Sequence, residues 1–201
     1  KYSSFKKCFK TNVVLPSKLL HNAIKSNCLN WIIIGSCTEK KIKSEKYAKK
    51  ILKEKKNIPY FNYAFSKYLF TKFTLDIAKK HGAKCRVLRL FHVYGNNESK
   101  TRLWPSLINA TKQKKDFQMT KGDQIRDFCH IDNVVFSLLD ALNFNIKNKD
   151  FPQLWDFATG KKKSVKKFAR EIWKKHVYKR KLIFNKIKNY DNTNYIADKK
   201  H

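Results

Sequence analysis

Two apolar segments, each closed by a glycine and separated by a long apolar helix, predict an α/β protein with a parallel sheet. The first segment, Leu29 to Ile34, is a short β-branched run that ends at Gly35 and has the length of a buried strand. Tyr60 to His81 reads as a helix with Gly82 as its C-terminal cap. Lys84 to Tyr94 is a second strand candidate, closed by Gly95. Two strands joined by such a helix pair in parallel, and in sheets of this kind chemistry gathers at the carboxyl ends of the strands.

The other elements follow in order. Asn12 to Ser26 spaces Val13, Leu19, Leu20, Ala23 and Ile24 as one helix stripe, with a start near Pro16. Lys40 to Lys56 is a lysine-rich helical or loop stretch, ended by Ile58-Pro59. Beyond Gly95 the sequence predicts a helix from Leu103 to Lys114. A short extended pair, Phe117–Met119 and Ile125–Cys129, is joined by Lys121-Gly122-Asp123. A helix from Asp132 to Leu142, a strand from Leu154 to Ala158, a helix from Ser164 to His176 and a strand from Lys181 to Ile187 complete the chain. There is no internal repeat and no low-complexity linker.

The 201 residues carry 46 Lys and Arg against 15 Asp and Glu, a formal net charge of +31, yet 42% are hydrophobic and 14% aromatic. That apolar content supports a core and argues against disorder. The densest apolar run, Trp31 to Ile34, is far short of the ~20 residues that cross a bilayer. Five widely spaced cysteines, without Cys-x-x-Cys or paired histidines, point away from a disulfide framework or a zinc site and towards a reducing, cytoplasmic compartment. Of the 46 cationic residues only six are arginine, and the lysines spread over the whole length. This reads as compositional drift with incidental anion affinity; a nucleic-acid-binding protein and an anionic membrane surface are the alternatives.

Tyr63 and Lys67 stand four residues apart on the central helix and therefore share a face. Half-ionising a phenol near neutrality requires roughly 4 kcal/mol, and a neighbouring cation acts in that direction. Such a tyrosine can pass a proton to or from a sugar hydroxyl or carbonyl. By itself the pair is equally a chance occurrence on an exposed helix of a lysine-rich chain.

The string Pro59-Tyr60-Phe61-Asn62-Tyr63-Ala64-Phe65-Ser66-Lys67 resembles the P-x-x-x-Y-x-x-S-K motif of the extended short-chain dehydrogenase/reductase family, the nucleotide-sugar epimerases, dehydratases and reductases. Four further segments are similar in the same order. Gly35-Ser36-Cys37-Thr38-Glu39 resembles the family's Ser/Thr-bearing strand end, and Arg89 to Gly95 resembles R-L-F-N-V-Y-G. Gly122 to Val134 resembles G-x-x-x-R-D-F-x-H-V-D-D-V, and Asp156 to Val165 resembles N-x-G-x-G-x-x-x-S-V.

The resemblance implies a Rossmann-like doubly wound parallel sheet with a smaller mixed α/β substrate-binding region. Residues 1–98 would be the NAD(P)-binding part. Residues 99–201 would be mainly substrate-binding, with a strand near 154–158 returning to the main sheet. It implies NAD or NADP as cofactor, a nucleotide sugar as substrate, no metal, and a homodimer through the Tyr63 helix and the helix before it. Tyr63 would transfer the proton, and Lys67 would hold the nicotinamide ribose. One of Ser36, Cys37 and Thr38 would supply the helper group, with Cys37 best aligned. Glu39 falls where 4,6-dehydratases carry their base, or else orients its loop. Gly35 and Phe91 would line the cofactor, and His92, Arg126 and Asn12 the substrate. Arg126 would meet the diphosphate or pair with Asp127 or Asp132, and Asn12 would otherwise cap its helix. His130 reads as a packed, hydrogen-bonded residue.

The activity implied is an epimerase or 4-keto reductase, favoured over a 4,6-dehydratase, in cell-surface polysaccharide synthesis. A catalytically inactive nucleotide-sugar-binding relative is the alternative within the family. None of the five glycines forms the G-x-x-G-x-x-G pyrophosphate fingerprint, and the sequence starts at Lys1 with Met119 as its one methionine, so the reading is of a fragment or trimmed chain. These 201 residues alone are therefore expected to bind NAD(P) weakly in a calorimetric titration; a Kd in the low micromolar range contradicts this.

Overall fold

A computed structural model of the chain describes residues 4–54, 60–143, 150–176, 180–188 and 193–197. The Ile58-Pro59 boundary expected above, and with it the proline heading the tyrosine motif, lies outside the described residues. The chain divides into two compact units. One comprises the chain through Leu90 together with the segment ending at Phe157; the other comprises Phe91–Asn143 and the segment beginning at Ala158.

The first unit is built on three parallel strands, β1 (Asn30–Ser36), β2 (Lys84–Leu90) and β6 (Gln153–Phe157), in the order β1-β2-β6. Its helices are α1 (Phe5–Phe9), α2 (Leu15–Lys25), α3 (Glu45–Lys53) and α4 (Phe61–Lys80), the last making the crossover from β1 to β2. Side chains alternate along each strand. Trp31, Ile33, Cys85 and Val87 therefore share one sheet face and pack with Leu20 of α2 and Phe70 and Ala78 of α4. A second cluster joins Ile42, Ala48 and Ile51 to Phe61, Ala64 and Phe65 of α4. With apolar partners on opposite sides, α4 has no single polar face, which is why its sequence reads as apolar almost all round. On the other sheet face the buried Arg86 lies 5.1 Å from the ring of Phe151 and 6.0 Å from that of Trp155.

The second unit holds β3 (His92–Tyr94), β5 (Ile125–His130) and β7 (Lys162–Ser164), with β3 parallel and β7 antiparallel to β5. A two-stranded ladder pairs β4 (Phe117–Gln118) in parallel with β8 (Leu182–Ile183). The helices are α5 (Leu103–Lys112), α6 (Ile131–Asn143) and α7 (Val165–His176). Leu107, Ala110, Met119, Val165, Ala169 and Trp173 form its core. Phe128 stacks on Phe168 at 3.8 Å, and Tyr94 meets Phe168 edge-on at 4.9 Å. Gly95 has φ +149, and a Cβ there would come within 2.5 Å of Ile131 Cγ2, so only glycine fits.

Four expected elements are redrawn. The helix α2 begins at Leu15 with Pro16 in its first turn, as expected, but it continues a helical chain that starts at Phe5 and passes through a π turn, Lys10–Val14. The ladder widens just before the proline, with the Leu15 amide on the Lys10 carbonyl, and this wide turn absorbs the residue that lacks an N–H. The Lys84–Tyr94 strand breaks at Phe91, where the Val93 amide donates to the Phe91 carbonyl at 2.9 Å and turns the last three residues into the second unit's sheet. Phe117–Met119 and Ile125–Cys129 do not pair with each other. Gly122, at φ +74, accepts the Lys166 amide at 2.8 Å and carries the connection to the start of α7, while Met119 bonds Ile183. Of the Lys181–Ile187 strand only Leu182 and Ile183 are in register with a partner.

Leu107 is fully buried in the second unit's core, so Leu107→Ala is expected to cost about 3 kcal/mol in urea denaturation. A loss below about 1 kcal/mol contradicts this packing.

Candidate active site

The register of the first sheet sets Gly35, Arg89 and Asp156 side by side on three adjacent strands, one pleat beyond Ile33, Val87 and Leu154. This row lies on the face covered by α2 and α4, at the carboxyl edge of the sheet. Arg89 Nη2 is 2.6 Å from Asp156 Oδ1, and Lys40 Nζ donates to Asp156 Oδ2 at 2.7 Å. Space at Gly35 is tight: a Cβ there would sit 3.0 Å from both Arg89 Cγ and Glu39 Oε1, so a side chain requires both to give way.

After Ser36 the chain enters a 3-10 turn, Cys37–Lys41, through a capping box. The Ser36 hydroxyl accepts the Thr38 amide at 3.3 Å, and Glu39 Oε1 accepts the Ser36 amide at 2.7 Å. The Ser36 and Thr38 hydroxyls share a hydrogen at 2.8 Å. Ser36, Cys37 and Glu39 are buried, whereas Thr38 is half-buried. Burial pushes the Glu39 carboxyl above its ordinary value, against the lowering effects of the Ser36 amide, the Thr71 hydroxyl, Lys67 and Arg89.

Tyr63 and Lys67 lie one turn apart on α4. Tyr63 is 39% exposed. The half-buried Lys67 donates its ammonium to the Ile34 carbonyl at the end of β1. Burial pulls the Lys67 ammonium below its usual value, while Glu39 partly restores it. Asn12 is not a helix cap, because it lies inside the π turn; its amide donates to Ser66 Oγ at 2.9 Å, and Ser66 in turn donates to the Tyr63 carbonyl at 2.8 Å. Asn12 therefore braces the helix that carries Tyr63 and Lys67.

Phe91, His92 and Arg126 belong to the second unit. Phe91 is buried, and His92 has ring neighbours in Phe128 at 6.0 Å and Tyr195 at 5.6 Å. Buried Arg126 donates to the carbonyls of Ile125 (3.0 Å) and Thr193 and sits 4.8 Å over the Tyr195 ring. The two aspartates weighed as its partners have other contacts: Asp127 accepts the Thr159 amide and hydroxyl at 2.9 and 2.8 Å, and Asp132 lies 3.2 Å from His130. Among the described residues no His, Cys, Asp or Glu group could hold a metal ion, and no helix is long and apolar enough to cross a membrane.

Sequence reasoning missed Lys40, Arg89, Asp156 and Thr71. The available signals were a charged residue inside each of two apolar strands and the continuation of the Tyr63, Lys67 spacing to Thr71.

Residues 2–151 match the model of the NAD dependent epimerase/dehydratase family. The chain is 32% identical to an ADP-L-glycero-D-manno-heptose-6-epimerase of Brachyspira hyodysenteriae, over 63% of this chain and 40% of that protein. It is 30% identical to a CDP-abequose synthase of Salmonella muenchen, over 85% of this chain and 53% of that protein. The chain thus spans about half the length of these relatives. A UDP-N-acetylglucosamine 4-epimerase from Methanobrevibacter ruminantium M1 has the same fold, with TM-score 0.76 and 18% identity over 94% of this chain and 60% of that one. The fold is Rossmann-like.

A carboxyl whose native pKa is raised costs the native state nothing below its unfolded value of 4.5 and progressively more as pH rises towards the native value. Glu39→Gln keeps an acceptor without the charge. Its stability relative to wild type is expected to increase as the pH is raised from below 4.5 to neutrality in urea denaturation; a constant difference contradicts a raised native pKa.

Proposed function

Because the chain belongs to the NAD dependent epimerase/dehydratase family, we propose that it carries the catalytic helix of an NAD(P)-dependent enzyme acting on a nucleotide-activated sugar. The observation that carries this reading is the Lys67 ammonium held on the Ile34 carbonyl at the carboxyl end of β1, one helical turn from the exposed Tyr63. These donors fit the nicotinamide-ribose end of the cofactor: a half-buried ammonium suits a ribose diol, and a phenol beside it suits a sugar oxygen. When bound, NAD(P) supplies or accepts the hydride at the sugar carbon, C4 in this proposal.

Tyr63 holds the proton at Oη that passes to or from the sugar oxygen, and Lys67 favours the phenolate by its charge. Thr38, the most open of the three helper candidates, donates its hydroxyl to the same oxygen, with Ser36 behind it. Glu39 is turned into the fold, where it accepts the Ser36 amide and pairs with Thr71, and this favours an epimerase or 4-keto reductase over a 4,6-dehydratase. Gly35 and Phe91 are assigned to the cofactor side. His92 and Arg126 are assigned to the substrate, with residues 1–98 as the cofactor-binding part and residues 99–201 as mainly substrate-binding. Arg126 meets the diphosphate by exchanging backbone carbonyls for phosphate oxygens.

The names of the relatives, an ADP-linked heptose epimerase and a CDP-abequose synthase, support a nucleotide-linked sugar as substrate, and the proposal extends this to a cytoplasmic role in supplying sugars for cell-surface polysaccharide. Exposed Phe73 on α4 supports a homodimer through the Tyr63 helix, with the helix preceding it as the other half of the proposed contact.

Tyr63→Phe is expected to abolish turnover of nucleotide sugars by the full-length protein while leaving bound cofactor unchanged, read by product analysis and cofactor absorbance. Retained turnover removes Tyr63 from the mechanism.

A further inference from the structure

Asp156 lies within a chain of alternating charge at the carboxyl edge of the first sheet. Lys67 and Arg89 both act on Glu39, Arg89 pairs with Asp156 at 2.6 Å, and Asp156 pairs with Lys40 at 2.7 Å. The Asp156 side chain is 5% exposed, against 21% for Arg89 and 22% for Lys40. Its carboxylate therefore sits innermost, between a cation on the neighbouring strand and a cation from the turn that follows β1. β6, which carries Asp156, pairs with β2, and β2 pairs with β1. The Lys40 contact thus ties the turn to a strand two positions away across the sheet.

We infer that Asp156 is a positioning residue: through Lys40 it clamps the 3-10 turn Cys37–Lys41 to the carboxyl edge of the sheet and so fixes where Ser36, Cys37 and Thr38 are presented. Three features of the geometry support the assignment. The capping box holds the first half of the turn from within, by Ser36 and Glu39, whereas Lys40 holds the second half from outside. The register aligns Arg89 with Asp156, so the sheet itself fixes the carboxylate and leaves the turn as the part that follows. One carboxylate also faces two cations, one at each oxygen, whereas an amide at that position offers one neutral acceptor and turns a donor towards the other cation. The meaning of the clamp for catalysis rests on the functional reading above; the clamp itself does not.

The test uses the cysteines the fold already contains. Cys37 lies in the turn and is buried, Cys85 lies in the core of β2 and is fully buried, and Cys28 is exposed. Burial also pushes the Cys85 thiol up to about 12, so it reacts only when the core opens. Alkylation by iodoacetamide, followed peptide by peptide by mass spectrometry, reports the three sites at once. Lys40→Met cuts the tether but leaves the Arg89–Asp156 pair in the sheet, so it keeps the proposal testable even if Asp156→Asn does not fold.

In Lys40→Met, and in Asp156→Asn where it folds, Cys37 is expected to react at least about tenfold faster, with Cys85 unchanged and Cys28 fast throughout. Lys40→Arg, which keeps the charge, restores slow reaction of Cys37. An unchanged Cys37 rate overturns the proposal, and so does a parallel rise at Cys37 and Cys85, which reports general loosening of the unit. In the full-length protein both tether variants are expected to lower kcat on a nucleotide sugar by more than they raise KM. Faster Cys37 alkylation in a protein whose wild type turns over no nucleotide sugar leaves the clamp standing and removes the functional reading instead.

Discussion

Parallel pairing of three short strands in one register is the constraint on which the rest of the first unit depends. It places Gly35, Arg89 and Asp156 in one row, under α4 and at the edge where all three strands end. Each member of the row determines a neighbour. The missing side chain of Gly35 admits the Glu39 carboxylate, Arg89 carries positive charge to the middle of the row, and Asp156 neutralises Arg89 while reaching Lys40. A slip of one residue turns these groups to the opposite face and puts Ile34, Leu88 and Trp155 against α4. Apolar pairing below the row and charge pairing within it therefore favour the same register.

Burial is what gives these charges their effect. Glu39 and Lys67 are drawn towards their neutral forms by desolvation, and each opposes that tendency in the other. The ammonium of Lys67 is held on the Ile34 carbonyl, an acceptor fixed by the sheet, and is therefore oriented by the fold itself. Preorganisation of this kind is what a proton-transfer site needs, since a donor that must reorganise during the reaction gives up part of its advantage. Most of the chain's positive charge has no such setting. Exposed pairs such as Lys72 with Glu45 at 2.8 Å are solvated and contribute little, so the net charge of +31 carries little information about what the site does.

The strands, the crossover helix and the motif residues were legible because glycine closures and β-branched runs are local signals. Tyr63 and Lys67 were legible for the same reason, since a spacing of four on a helix needs no tertiary information. Features set by a partner elsewhere in the chain were not legible. The strand after Lys84 bends at Phe91 because a second sheet takes its last three residues, and Phe117–Met119 pairs with a strand more than sixty residues further on. Pro16 stands in the first turn of α2 as expected, but the wide turn and the helix ahead of it depend on the ladder before the proline. Asp156 and Arg89 gave a weak signal as charges within apolar strands, but only the register shows that they meet. Asn12 was noted as a site residue or cap, and its bond to Ser66 gives it a bracing role.

The central claim is that the carboxyl edge of this sheet supports hydride transfer at a sugar carbon with proton transfer by the phenol beside it. The most direct measurement follows the isotope through single turnovers of the full-length protein, with NAD(P) and nucleotide sugars deuterated at C4, and with deuterated reduced cofactor and 4-keto nucleotide sugars. The account predicts that deuterium passes between C4 and the nicotinamide ring, seen by mass spectrometry of both. Return of the label to C4 of an epimerised product agrees with the account, whereas conversion without deuterium appearing on the nicotinamide ring at any point of the turnover, or with the C4 deuterium lost directly to water, contradicts it.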